Sequence, residues 1–130
     1  MTRLLKVLLS IFALQLLAIS ITFAGNFDTD DLKIKDLKKQ GIDVTAPQRF
    51  QFLLSFKTKE QAAGACKDAE KLGFKKLKIY EHNKNSMMLW VSKSIVPELE
   101  NIKAIHKQLM PVAKRHAGTY EDVEWEVVPN

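Results

Sequence analysis

The stretch Arg49–Gly73, RFQFLLSFKTKEQAAGACKDAEKLG, decides the fold. Within its first eight residues, Phe50, Phe52, Leu54 and Phe56 recur at a period of two, which predicts a strand with one buried face. Thr58–Gln61 then forms a capping box, in which the Thr hydroxyl and the Gln side chain bind the free amides at the start of a helix. We expect this helix to reach Leu72, and the small residues on its apolar side predict close packing on a sheet. The predicted buried residues of the two elements are Phe50, Phe52, Leu54, Phe56, Ala62, Ala65, Cys66, Ala69 and Leu72.

After this helix the chain is expected to form two further strands, a second long helix and a last strand. Phe74–Tyr80 and Met87–Ser92 are predicted strands joined by a short polar turn, which makes them a hairpin. Pro97 suits the first turn of a helix expected to reach Ala117, and Tyr120–Val128 is the last strand. Strand-helix-strand taken twice predicts an α+β fold, the ferredoxin-like β-α-β-β-α-β sandwich. It has a four-stranded antiparallel sheet with two helices on one face.

Residues 1–24, MTRLLKVLLSIFALQLLAISITFA, have the pattern of a secretory signal peptide. Arg3 and Lys6 precede an apolar run, and Ala24 supplies a small residue at the cleavage position. An uncleaved anchor helix is the alternative, because the run is near the lower limit of about 17–25 residues for a membrane span. We therefore expect an exported protein, periplasmic or secreted. It would be membrane-bound only if this segment stays uncleaved.

Residues 25–48 are expected to form a short helix and a connector before the main domain at residues 49–128. Thr29 is the predicted N-cap of a helix that runs from Asp30 to Gln40. Asp30 and Asp31 suit the positive end of the helix dipole, and we interpret them as helix-stabilising charges rather than as a cation site.

Composition limits the class of protein. The chain has 130 residues, enough for one domain with a short appendage. A hydrophobic fraction of 46% excludes a wholly disordered chain. The single cysteine excludes an internal disulfide and any zinc site with two cysteine ligands. The formal charge of +5 falls to +3 without Arg3 and Lys6, and lysines mixed with acids indicate mainly a solvated face.

The residue types that carry catalysis are poorly placed for it. His106 and His116 lie about 80° apart and about three turns apart on one helix, so they cannot share a metal ion. His82 falls in a turn, and no partner is placed to activate the Cys66 thiol as a nucleophile. The sequence contains no phosphate-binding Gly-rich loop and no HExxH or GxSxG motif. We therefore predict no catalytic residue, no cofactor, no metal site and no small-molecule substrate.

A nucleic-acid-binding sheet would need solvent-facing aromatic residues among basic ones. Phe50, Phe52 and Phe56 share a face with Leu54 and are interpreted as core. Trp90 would face solvent only if both of its neighbours were buried. We therefore expect no nucleic-acid partner.

Exposed charges near the sheet edges are the candidate partner contacts. They are Lys75, Lys76 and Lys78 on the second strand, and Glu121 and Asp122 on the last. In a ferredoxin-like sheet these two strands are the edges. Charges there either prevent unwanted strand pairing or steer a partner of opposite charge.

Two stretches resemble the family of regulators of ribonuclease E activity, RraB. The first is Leu37–Asp43 with Pro47 and the FQFLLSF strand, followed by an Ala-rich helix. The second is Val96–Ile102 with the close at Gly118, Tyr120 and Trp125. The family pattern ends in a Tyr-Asp-Gly-Trp type of segment, whereas four residues without Gly separate Tyr120 from Trp125 in this chain.

The resemblance implies the ferredoxin-like fold and a non-enzymatic protein that binds another protein. The family's partner is a cytoplasmic endonuclease, which an exported domain would not meet. We therefore expect an exported regulatory module with an unidentified protein partner. The alternatives are a cell-wall glycan binder, because exported SPOR domains share the order of elements, and a small exported enzyme.

Overall fold

The computed structural model describes residues 29–128. Helix α1 covers residues 29–39. The further elements of the described range are β1 (Gln48–Phe56), α2 (Lys59–Lys71), β2 (Lys75–Asn83), β3 (Ser86–Ile95), α3 (Leu99–Arg115) and β4 (Thr119–Val127). The strands form one antiparallel sheet in the order β2-β3-β1-β4. The apolar sides of the two long helices pack on one face of this sheet, which confirms the predicted ferredoxin-like arrangement.

The core forms around the central strand β1, as the period of two predicts. Phe50, Phe52 and Leu54 are completely buried, and Phe52 meets the ring of Phe74 edge-on at 6.1 Å between centroids. The small side of α2 lies on this layer, with Ala62, Ala65, Cys66 and Ala69 buried. Leu72 was predicted to be buried with them, but it is exposed because it caps the helix.

The ends of the elements differ from the predicted ones by a few residues. The capping box of α2 is present, and Thr58 accepts a hydrogen bond from the Gln61 amide at 3.1 Å. Thr29, the predicted cap of α1, is itself helical. Helix α3 begins at Leu99 rather than at Pro97, with Glu98 in the cap position.

The hairpin of β2 and β3 is longer than predicted, because both strands continue towards a two-residue turn at residues 84–85.

The predicted signal peptide lies outside the described residues. Within residues 29–128, no helix is long and apolar enough to span a membrane.

Two glycines allow close approach between elements. A Cβ on Gly64 would lie 2.7 Å from the imidazole Cε1 of His116, so this glycine lets α3 approach α2. A Cβ on Gly118 would overlap the ring of Phe56 and lie 2.5 Å from the Ser55 carbonyl oxygen. The turn after α3 is made by Ala117, which has a φ of 59°, whereas the sequence suggested that Gly118 ends this helix.

Strand β4 contains an irregularity that changes which side chains it buries. Gln51 pairs with Glu126 and Leu53 with Glu121, so four residues of β4 lie opposite the single residue Phe52. The extra residues prevent Val123, Trp125 and Val127 from alternating regularly along the strand. Trp125 is buried, but Val123 is 41% exposed.

Candidate functional site

Strand β2 is a free edge of the sheet, as predicted. Among the strands of residues 29–128, it pairs with β3 alone. Lys75, Lys76 and Lys78 are all exposed on it. A bulge between Lys76 and Lys78 places them on different sides, because Lys76 lies opposite the buried Val91 and Lys78 lies opposite Trp90. The edge therefore presents positive charge on both faces of the sheet.

On the helix side of β2, a shallow cleft separates the strand from the start of α2. Its volume is about 700 Å³. We call it the lysine cleft, since Lys57, Lys59, Lys76 and Lys84 line it and Glu81 is the one acidic residue in its lining. Ala63, Ile79, Tyr80 and Met87 complete the lining and supply apolar and aromatic surface. The cleft combines positive charge with apolar surface beside an unpaired strand.

On the opposite, open face of the sheet, β2 and β3 present an aromatic pair, Trp90 and Tyr80. The indole nitrogen of Trp90 lies 3.4 Å from the Tyr80 hydroxyl, and the Lys78 ammonium lies 5.1 Å from the centre of the Tyr80 ring. Leu89 and Val91 are completely buried, so the predicted condition for an outward-facing Trp90 is met. Tyr80 is 39% exposed and thus available for contact with a partner.

The other edge strand, β4, is partly covered by α1. The ammonium of Lys33 on α1 donates hydrogen bonds to the carbonyl oxygens of Val123 at 2.7 Å and Trp125 at 2.6 Å. It also lies 4.3 Å from the centre of the Trp125 ring. Burial lowers the pKa of Lys33, while the nearby carboxylates, Asp30 first among them, oppose that shift.

The acidic candidates lie on this covered edge. Glu121 accepts a hydrogen bond from the Ser55 hydroxyl at 3.0 Å, and Asp122 lies in the irregular part of β4. Two central strands separate these acids from Lys75, Lys76 and Lys78. The structure therefore does not bring the five predicted contact residues together, and only the lysines lie on the free edge.

A buried polar cluster joins α1, α3 and β4. Asp30 is 4% exposed, and its carboxylate binds Nε2 of His106 at 2.9 Å and the indole nitrogen of Trp125 at 2.8 Å. Nδ1 of His106 lies 2.8 Å from the Tyr120 hydroxyl. An imidazole that donates from Nε2 to Asp30 and accepts the Tyr120 hydroxyl proton at Nδ1 satisfies all of these groups. Burial raises the pKa of Tyr120, so this hydroxyl stays protonated. We interpret the cluster as the attachment of α1.

Sequence reasoning missed this cluster, since Asp30 was interpreted as a helix-end charge. His106 and Trp125 lie 76 and 95 residues after Asp30 in the chain, so no short sequence pattern could reveal their contact with it. The sequence places His106 on a helix but gives no sign of its acidic partner.

The other side chains that could take part in chemistry, Cys66 and His116, make contacts that stabilise the fold. Cys66 is buried, and burial raises the pKa of its thiol, as expected for a packing residue. His116 binds the Asp68 carboxylate at 2.8 Å and so joins α3 to α2. Among residues 29–128, no group of three or more His, Cys, Asp or Glu side chains could hold a metal ion.

Comparison with known proteins gives one family. No curated protein sequence matches the chain at a significant level. Residues 15–127 match the family described as "Regulator of ribonuclease activity B". The match includes all seven helices and strands of the described range, and it extends into the segment predicted as a signal peptide. The chain therefore belongs to the RraB family of regulators.

Proposed function

We propose that this protein is an exported, non-enzymatic regulator that acts by binding another protein at strand β2. The observation that carries the proposal is the contrast between the two sheet edges. Lys33 occupies carbonyl groups of β4, whereas β2 is open and has lysines and an exposed aromatic residue. Unpaired strand edges with adjacent side-chain contacts are a common way to bind a protein.

Membership of a family described as regulators of a ribonuclease activity supports regulation through a protein partner. The export part of the proposal depends on the sequence of residues 1–24. It requires a partner different from a cytoplasmic ribonuclease, because an exported domain does not share a compartment with one.

The non-enzymatic part of the proposal is supported by the surroundings of the histidines. The ring nitrogens of His106 are both occupied within the buried cluster, and His116 is held by Asp68. Such groups stabilise the fold and are not directed at a substrate. Substrate turnover that is lost on substitution of His106, His116 or Cys66 would contradict this part.

Site-specific crosslinking in the native host tests the binding surface. We would place a photoreactive residue at position 78, on β2, and at position 107 as a control, since Lys107 is exposed on α3. The proposal expects a discrete crosslinked protein from position 78 and not from position 107. Equal products at both positions, or attachment to cell-wall glycan, would contradict it.

Charge reversal distinguishes two roles of the lysines on β2, the prevention of unwanted strand pairing and the steering of a partner. If Lys75, Lys76 and Lys78 steer the partner, their replacement by Glu should slow association and weaken its salt dependence. Replacing Lys35, Lys39 and Lys107 gives the same change of charge on α1 and α3 and should have little effect. Unchanged binding in the β2 variant would show that these lysines only prevent strand pairing.

Cell fractionation and N-terminal sequencing test the export. We expect a mature protein that begins near Gly25, outside the cytoplasm. A full-length cytoplasmic product would contradict the export and would leave the binding surface to be judged by the crosslinking result.

A further inference from the structure

We infer that the lysine cleft binds an acidic, extended segment of the partner, which adds to the sheet as a strand beside β2. This inference depends on the proposed function, because it takes the partner to be a protein that contacts this edge. It adds the chemistry and the conformation of the bound segment.

The positive charge of the cleft favours a negatively charged occupant. Four lysines and one glutamate line it. Lys59 is the first residue of α2, so the positive end of the helix dipole adds to the lysine charges. The exposed lysines on β2 itself extend this field along the edge. An acidic segment would therefore be attracted over the whole length of the strand.

The apolar part of the cleft favours a peptide over a simple anion. Ile79 and Met87 are half-buried and face the cleft together with Ala63. These groups offer contact to an aliphatic side chain of a peptide but none to a phosphate or carboxylate ion. The residues that line the cleft include no arginine, the side chain best suited to grip phosphate in a bidentate manner.

The free edge sets the conformation of the segment. Strand β2 has nine residues and, within the part of the chain that the structure describes, pairs with β3 alone. An extended chain can therefore bind its outer backbone groups. Side chains of an added strand alternate between the two faces of the sheet. Those on the helix side would reach Lys76 and Lys84, and those on the open side would reach Lys75 and Lys78.

Titration with a defined peptide tests the inference without the natural partner. The probe is the acetylated heptapeptide Glu-Asp-Val-Ile-Glu-Asp-Val, which carries acidic and aliphatic side chains on both faces of an added strand. Its binding is followed by the amide chemical shifts of the labelled full chain. We expect shifts at Ile79 and Met87, slower hydrogen exchange along β2, and an affinity that falls as salt is raised. The matched heptapeptide with Lys at each acidic position should not bind.

Two variants provide the control. Replacing Lys57, Lys59 and Lys84 by Glu should weaken binding of the acidic peptide about tenfold or more. The same replacement at Lys35, Lys39 and Lys107 should leave binding within about twofold. Because all six lysines are exposed, both variants should fold, and their denaturant midpoints check this.

Three outcomes would overturn the inference. They are shifts confined to Trp90 and Met88 on the open face, binding of single-stranded oligothymidylate as tight as that of the peptide, and no peptide binding at all. In the last case, a crosslink from position 78 to a protein would still support the proposed function. The two failures are thus distinguishable.

Discussion

The carboxylate of Asp30 accepts a hydrogen bond from the indole nitrogen of Trp125 at 2.8 Å, although 95 residues separate them in the chain. The other oxygen of Asp30 binds His106 on α3 at 2.9 Å. One side chain of α1 thus holds both the last helix and the last strand. Since Lys33 also bonds to β4 from α1, this short helix is an integral part of the domain.

Removing the Asp30 carboxylate should therefore destabilise the protein. In Asp30→Ala, two buried donors lose their acceptor, which costs about 1–3 kcal/mol. Urea denaturation measures this loss, and hydrogen exchange should be faster throughout α1. Asp31→Ala is the matched control, because Asp31 is half-exposed and its ion pair within residues 29–128 is a surface contact with Lys35. We expect a loss of less than about 1 kcal/mol there. Equal losses in the two variants would contradict the role of Asp30.

The two faces of β1 should respond very differently to truncation. Phe52 is completely buried against Phe74, so Phe52→Ala should cost about 3–5 kcal/mol of unfolding free energy. Leu53→Ala, its neighbour on the open face, removes a half-buried side chain and should cost clearly less. The denaturant midpoints of the two variants test this. If Leu53→Ala were the more damaging, the assignment of faces would be wrong.

The contact between Gly64 and His116 predicts a substitution whose effect changes sign. Gly64→Ala places a methyl group 2.7 Å from a ring that Asp68 holds in place, and this should destabilise the protein. In a His116→Ala background the ring is absent. The same substitution should then stabilise α2 by up to about 1 kcal/mol through helix propensity. Thermal denaturation of the four proteins in this cycle measures the coupling. No coupling would show that the ring moves aside freely.

Acid should weaken the link between α2 and α3. The hydrogen bond from His116 lowers the pKa of Asp68 below its ordinary value of 3.8. A carboxylate with a lowered pKa stabilises the folded state above its unfolded pKa, and that stability is lost as the pH falls through the folded pKa. We expect the urea midpoint of the wild type to fall more steeply than that of Asp68→Asn below about pH 4. Parallel pH profiles for the two proteins would contradict this.

Most of the fold could be predicted because its signals are local. The period of two in β1 and the capping box at Thr58 each involve a few consecutive residues, and both are present in the structure. The edge positions of β2 and β4 followed from the order of the elements alone. The predicted lysines therefore lie on a free edge.

Features that depend on distant residues could not be predicted in the same way. The irregularity of β4 places Val123 outward and Tyr120 inward, against a simple alternation. The four residues between Tyr120 and Trp125 indicate in the sequence that β4 has extra length. Which of its side chains face inward, however, depends on the pairing of β4 with β1. The lysine cleft likewise combines residues from α2 and both strands of the hairpin.

The hydrogen bonds from Lys33 to the backbone of β4 limit the stoichiometry of any complex formed by strand addition. A sheet with two open edges can join its neighbours head to tail without end, whereas a sheet with one open edge cannot. This molecule should therefore accept one added strand. If two copies pair edge to edge, growth should stop at a twofold dimer. Lys33→Ala would open the second edge, and light scattering would then be expected to detect larger assemblies at high protein concentration.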